Sequence, residues 1–217
     1  MLELLAAAVI ATASCAIPAD LTPAPVQAQE ESRIVPTTRL ALAYYWWPQN
    51  CRRADSAAVP GCAAGFGFKV HGLWPDGAGK TYPQSCRAPT PLDIATVRAN
   101  YCMTPSPSLL QHEWAKHGTC HWPDADAYFA AARRVADTIA LPDIDKQRPT
   151  GLTAGSVRDA FVQANPGLPR NSLFIATDRN QWLTEVRICL TTAYRPTRCK
   201  DDDVGAPDPV PVRVWPR

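Results

Sequence analysis

The sequence predicts an α+β fold, a central antiparallel sheet flanked by helices in one disulfide-stapled domain. Three observations carry this. Strand-like and helix-like stretches are interspersed without a regular βαβ alternation. A chain of 217 residues with 46% hydrophobic content suits one domain with a sizeable core. Eight cysteines and seven tryptophans point to an oxidising compartment and covalent staples. The formal net charge is only +2, so no global positive field advertises nucleic acid, and an anionic ligand needs a local cluster.

The elements follow in chain order. Residues 4–17 form an almost unbroken apolar and small-residue run, too short to span a bilayer comfortably. They read as part of a signal peptide, with small-residue cleavage sites after Ala13 or after Ala28, although no Lys or Arg precedes Arg33. Residues 1–28 are thus expected to be signal peptide and leader, and residues 29–36 a linker. The chain is expected to be exported, to the periplasm or the extracellular space, with no membrane span. Cys15 matches a lipid-attachment site poorly and is set aside. Residues 18–36, rich in Pro, Ala and Gln, read as a segment without a core, so the ordered domain, residues 37–217, is expected to begin near Thr37.

Residues 40–47 are apolar on both alternating faces, as in a central buried strand, and Pro48 ends them. Cys51 and Cys62 can close the polar loop between them. In residues 66–74, alternation puts Phe66, Phe68 and Val70 on one side and Lys69, His71 and Leu73 on the other. His71 would then sit at a strand end before Gly72, accessible. Residues 75–108 are rich in Pro, Gly and Ser, with one short helix near 92–100. A longer helix over 124–140 has Tyr128, Ala131, Ala132, Val135 and Ile139 as its apolar stripe. Another over 154–164 turns Val157, Ala160, Phe161 and Ala164 inward and ends at Asn165-Pro166-Gly167. Residues 172–176 and 182–190 read as a hairpin around Asp178-Arg179-Asn180, with Trp182, Thr184, Val186, Ile188 and Leu190 on one face. Residues 201–203 read as a solvated acidic turn, and 210–215 as a final strand that its prolines demote to an edge.

One stretch stands apart: His112-Glu113-Trp114-Ala115-Lys116-His117-Gly118-Thr119-Cys120. On a helix, with His112 at zero, Lys116 lies near ~40°, Glu113 near ~100° and His117 near ~140°. Four ionisable groups then share less than half the circumference, while Trp114 and Ala115 turn towards a core. A zinc protease needs two histidines at i and i+4. Here they are at i and i+5, and Lys116 occupies the wanted position, so a metal site is not expected. No Gly-rich phosphate loop, nucleophile elbow or dinucleotide fingerprint is present, and no cofactor is expected. Two imidazoles and an ammonium do suit a phosphodiester: one ring removes a proton, the other donates one, and the cation stabilises the charge on the phosphoryl oxygens. RNA supplies its own nucleophile, the 2′-hydroxyl, which DNA lacks.

His71-Gly72-Leu73-Trp74-Pro75-Asp76 and the nine-residue helical stretch together resemble the two active-site segments of the T2 family of ribonucleases. The resemblance extends over most of residues 40–199, through Trp46-Trp47-Pro48, Tyr82-Pro83-Gln84-Ser85-Cys86 and Glu185-Val186-Arg187-Ile188-Cys189; residues 1–36 fall outside it. It implies an α+β endoribonuclease that cleaves single-stranded RNA through a 2′,3′-cyclic phosphate to 3′-phosphate ends, with broad base specificity. By that resemblance His117 is the general base and His71 the general acid, Lys116 and Glu113 stabilise the phosphorane, and His112 binds phosphate. Glu113 and His117, at i and i+4, could also orient one another. Trp74, Asp76 and Tyr82 match positions that form a base pocket in some members; Trp74 could equally be a core aromatic, and Asp76 a cap for the Gly77-Ala78-Gly79 turn. His121 reads as a surface histidine. Disulfide candidates are Cys86 with Cys120, Cys189 with Cys199, and Cys51 with Cys62. Cys102 is left either as a free buried thiol or as a sign that one pairing is wrong. The expected partner is RNA, with no stable DNA complex, and the chain is expected to be a monomer.

Overall fold

The computed structural model describes residues 15–27, 30–52, 60–147, 151–200 and 203–217. In chain order these form β1 (Arg39–Trp46), α1 (Trp47–Asn50), β2 (Phe68–Asp76), α2 (Ile94–Asn100), α3 (Pro107–Lys116), α4 (Ala125–Ala136), α5 (Ile144–Gln147), α6 (Ala154–Ala164), β3 (Leu173–Thr177) and β4 (Leu183–Leu190). The strands make one antiparallel sheet in the order β2-β1-β4-β3. β1 is central, with a strand on each side. Helix starts follow their capping residues: Asp93, Ser106 and Asp124 each accept a backbone N–H of the first turn, and Thr153 and Ser156 form a reciprocal box at α6.

One sheet face is the core. Leu40, Leu42, Tyr44, Val70, Leu73, Val186, Ile188 and Leu190 pack there against Tyr128, Phe129 and Val135 of α4 and Phe161 of α6. The other face, with Ala41, Tyr45, His71, Trp74, Asp76, Phe174, Arg187 and Cys189, lines a cleft.

Two strand bulges overturn the simple alternation read from the sequence. Ala43 pairs with Gly72 and Tyr44 with Val70, so His71 is the extra residue in β2. Leu73, expected beside His71, is instead fully buried with Val70, while His71, Trp74 and Asp76 share the cleft face. His71 also lies within the strand, not at its end. In β4, Thr177 pairs with Leu183 and Ala176 with Glu185, which leaves Thr184 extra. Leu183 rather than Thr184 therefore joins Val186, Ile188 and Leu190 in the core.

The segment expected to lack a core is also different. Cys15 is bonded to Cys102, Leu21 is buried in the main cluster, and Arg98 donates to the Ala19 carbonyl. The ordered chain thus includes residues well before Thr37, and Cys102 is not a free thiol. The other three pairings are as expected: Cys51–Cys62, Cys86–Cys120 and Cys189–Cys199. α4 ends at Ala136, short of Ile139. Residues 210–215 make isolated bridges, Thr153 with Pro211 and Trp182 with Arg213, and no strand. Residues 1–14 and 28 of the expected leader, residue 29 of the expected linker, and 201–202 of the acidic turn lie outside the described residues. Among the described residues no helix is long and apolar enough to cross a membrane.

Candidate active site

The cleft, about 840 Å³, lies between the exposed sheet face and α3. α3 begins at Pro107, whose missing N–H costs nothing at the first helical position, and ends at Lys116, with His117 as its capping residue. His112, Glu113, Lys116 and His117 all line the cleft, as the helical spacing requires, while Trp114 is buried on the opposite side. From the sheet, the bulge delivers His71 and Trp74 to meet them. The Cys86–Cys120 bond ties the loop after β2 to the turn after α3, and the Ser85 N–H donates to the Lys116 carbonyl at 2.7 Å. The two histidine-bearing elements are therefore fixed to each other covalently and by backbone.

His71 sits between two carboxylates. Its Nδ1 is 2.6 Å from Glu185 Oε2 and its Nε2 is 3.2 Å from Glu113 Oε1. Its ring stacks on Tyr45 at 3.7 Å between centroids and meets Trp74 edge-on at 4.8 Å. Trp74 lies between the histidines, 5.2 Å from the His117 ring, and donates its Nε1–H to Glu113 Oε2 at 2.6 Å. Glu113 turns to β2 rather than to His117 because Gly72 leaves room there: a Cβ on Gly72 would lie 2.0 Å from Glu113 Oε2. The expected side-chain pairing of Glu113 with His117 is replaced by this contact. His117 Nδ1 is buried with no hydrogen-bond partner among the described residues. Lys116 Nζ is 2.6 Å from Glu30 Oε1.

These surroundings push the two imidazoles apart. Burial alone would lower His71, but Glu113 and then Glu185 reverse it and raise it to about 9. Burial lowers His117 to about 4; Glu113 opposes this, and the neighbouring Lys116, His71 and His112 reinforce it. Burial would raise Glu113, yet His71 and the other two histidines hold it well below the usual carboxylate range. At neutral pH one ring is thus charged and the other neutral.

The residues expected to read a base are distributed differently. Trp74 is neither a core aromatic nor a free stacking platform: the Arg187 guanidinium lies 4.9 Å over its ring. Asp76 lines the cleft, but its carboxylate pairs with Lys200 at 2.9 Å. Tyr82 is 40% exposed at the cleft rim, with Arg33 4.6 Å over its ring. His121 is exposed, away from the cleft. Glu185 was missed. Its signal was available: a carboxylate and Arg187 alternate with Val186 and Ile188 in a strand whose other face is core, which marks a charged, enclosed face.

A comparison with family models matches residues 37–199 to the ribonuclease T2 family. A protein of Aeromonas hydrophila named "Ribonuclease" is 40% identical over 159 residues, 69% of this chain and 70% of that one. "Extracellular ribonuclease LE" of Solanum lycopersicum is 30% identical over 168 residues, 66% of this chain and 72% of that one. "Probable ribonuclease" of Haemophilus influenzae is 32% identical over 124 residues, 52% of this chain but only 44% of that protein's length. Among solved structures, an RNase-related protein from Calystegia sepium superposes with a TM-score of 0.63 at 21% identity, covering 79% of this chain and 95% of that one. RNase NT in complex with 5′-AMP superposes with a TM-score of 0.61 at 19% identity, covering 82% and 99%. At these identities the superpositions establish the fold.

Proposed function

We infer, for a chain that belongs to the ribonuclease T2 family, that the cleft cleaves single-stranded RNA by transphosphorylation without a metal ion. One observation carries this: two imidazoles face one cleft with opposite charge preferences, the arrangement that separates an acid from a base. Neutral His117 takes the proton from the 2′-hydroxyl. The 2′ oxygen attacks phosphorus, and the bond to the 5′ oxygen breaks as protonated His71 gives that oxygen its proton. This leaves a 2′,3′-cyclic phosphate and a 5′-hydroxyl. Slow attack of water with the proton roles reversed opens the cycle to a 3′-phosphate. Lys116 and His112 meet the phosphoryl oxygens. An ionised Glu113 would repel those oxygens, so here it acts by keeping His71 charged and Trp74 in place.

Trp74 forms the floor between the two rings, and Tyr82, 40% exposed at the rim with Arg33 over one face of its ring, offers the more open aromatic surface for a base, with Asp76 and Lys200 behind it. RNA is the substrate. No stable DNA complex and a monomeric state remain part of this reading, as does export to the periplasm or beyond. A leader ending at Ala13 would retain Cys15 for its bond to Cys102, whereas cleavage after Ala28 would remove it; the shorter leader is the one we favour.

The test is to incubate the oxidised protein with RNA in EDTA and assay for cyclic phosphate ends. Cleavage is expected to persist, and its loss in EDTA would refute metal independence. No cleavage under any condition would favour a binding protein on the same scaffold. His71→Ala and His117→Ala should each lower the rate by at least ~10²–10⁴-fold, and a near-native rate in either would refute that residue's role.

A further inference from the structure

The roles above leave the enclosed carboxylate of Glu185 unused. Glu185 is 4% exposed on the cleft face of β4, opposite Tyr45 in the register with β1. From there it reaches past the Tyr45 ring to His71 on β2. We propose that Glu185 is the positioning residue of the general acid, gripping His71 at Nδ1 so that the Nε2–H faces the leaving 5′ oxygen. The role of His71 in this proposal rests on the ribonuclease reading; the contact itself does not.

The geometry separates Glu185 from Glu113. The Glu113 contact with Nε2 is long, and Glu113 Oε1 makes no directed hydrogen bond among the described residues. A leaving oxygen that accepts from Nε2 takes the place of that contact. The Nδ1 bond to Glu185 lies on the far side of the ring and persists through the transfer. Tyr45 and Trp74 fix the plane of the ring, but neither distinguishes a ring turned over in that plane; the Nδ1 partner does. Glu185 is itself fixed. Arg187 Nε donates to its other oxygen, and the guanidinium is held between the Trp74 and Phe174 rings.

Charge points the same way. His112, Lys116 and His117 face His71 from α3 and its cap, Arg187 from β4, and the Tyr45 phenol from β1; Asp76, paired with Lys200, lies farther along β2. Lys116 and Arg187 oppose a charge on a buried imidazole, and Glu113 must serve Trp74 as well. A second carboxylate keeps the acid loaded at neutral pH.

Glu185→Gln keeps a carbonyl oxygen that can accept from Nδ1 but removes the charge. On an RNA oligonucleotide, the basic limb of kcat/KM should move down from about 9 by about one pH unit or more, a loss of at least about threefold at roughly pH 8.5 that rises to about tenfold near pH 10, with little loss near pH 5.5. The loss should fall on kcat with KM nearly unchanged, which a merely structural role would not produce. A basic limb at the wild-type position overturns the proposal. If the wild-type chain does not cleave RNA, the ribonuclease reading fails, and NMR decides the contact. The His71 Cε1–H signal, assigned by its absence in His71→Ala, should titrate lower in Glu185→Gln, and an unmoved midpoint refutes the contact. Should the Gln variant not fold, Glu185→Asp keeps the charge one methylene farther back. It is expected to give an intermediate limb, and a wild-type limb again overturns the proposal.

Discussion

Gly72→Ala tests how tightly the centre is built. The added Cβ would stand 2.0 Å from Glu113 Oε2 and 2.6 Å from Trp74 Nε1, where ordinary contact begins at 3.4 Å. Gly72 has no left-handed backbone to lose, so the effect is steric. Glu113 must retreat by about 1.4 Å, the difference between 3.4 and 2.0 Å. That breaks its bond from Trp74 and loosens its hold on His71. Losing a hydrogen bond to a charged, buried carboxylate costs about 1.5–3 kcal/mol of stability. A misplacement of this size in a catalytic array costs roughly 10²-fold in rate, or about 2.7 kcal/mol of barrier.

The assay is kcat/KM on an RNA oligonucleotide at neutral pH, with a thermal melt to confirm folding. A folded Gly72→Ala within about twofold of wild type would refute the reasoning. The mechanism is tested by a cycle with Glu113→Ala, which removes the carboxylate that the new methyl displaces. If Gly72→Ala acts through Glu113, it adds little on that background. Full additivity of the two losses would show that the methyl acts elsewhere.

Three further outcomes are expected. The base must be neutral and the acid protonated, so kcat/KM should rise through about pH 4 as His117 loses its proton and fall through about pH 9 as His71 loses its own. This plateau spans neutrality; two unperturbed rings near 6.5 would give a narrow peak with only about a quarter of the molecules correctly charged, and finding that peak would refute the assigned shifts. The Cys15–Cys102 bond closes a separation of 87 residues, worth ~4.6 kcal/mol in the loop-entropy model; the double Ser variant should melt clearly lower, and a loss under about 1 kcal/mol in denaturant titration would argue that the N-terminal segment adds nothing to the fold. Glu30, about half exposed, competes with phosphate for Lys116; such a pair is worth at most ~1 kcal/mol, so Glu30→Gln should lower KM by up to about fivefold at low salt, with the difference disappearing at high salt. An unchanged or raised KM at low salt would show that the two do not compete.

What the sequence made legible was local. His112, Glu113, Lys116 and His117 could be placed on one face because helical period is a property of the segment itself, and Trp114 fell on the core side for the same reason. The apolar stripe of the helix expected over 124–140 likewise placed Tyr128, Ala131, Ala132 and Val135 of α4 in the core. The Cys51–Cys62 closure followed from a short loop. What was not legible depended on partners distant in the chain. Cys15 read as leader residue because its partner lies 87 residues on, in a stretch with no signal of its own.

The bulge at His71 is the sharper case, since it decides the chemistry. In a regular strand His71 and Trp74, three residues apart, would face opposite sides of the sheet, and one of them would point into the core. The extra residue exists only relative to β1, where Ala43 and Tyr44 pair with Gly72 and Val70. No inspection of residues 66–76 alone can reveal it. Its effect is to turn Trp74 to the cleft, seal Leu73 into the core and leave Gly72 facing α3, where the Glu113 carboxylate enters. One carboxylate can then contact both the His71 ring and the Trp74 N–H, while Glu185 reaches the same imidazole from across β1. The charged state of the acid therefore depends on strand register as well as on residue type.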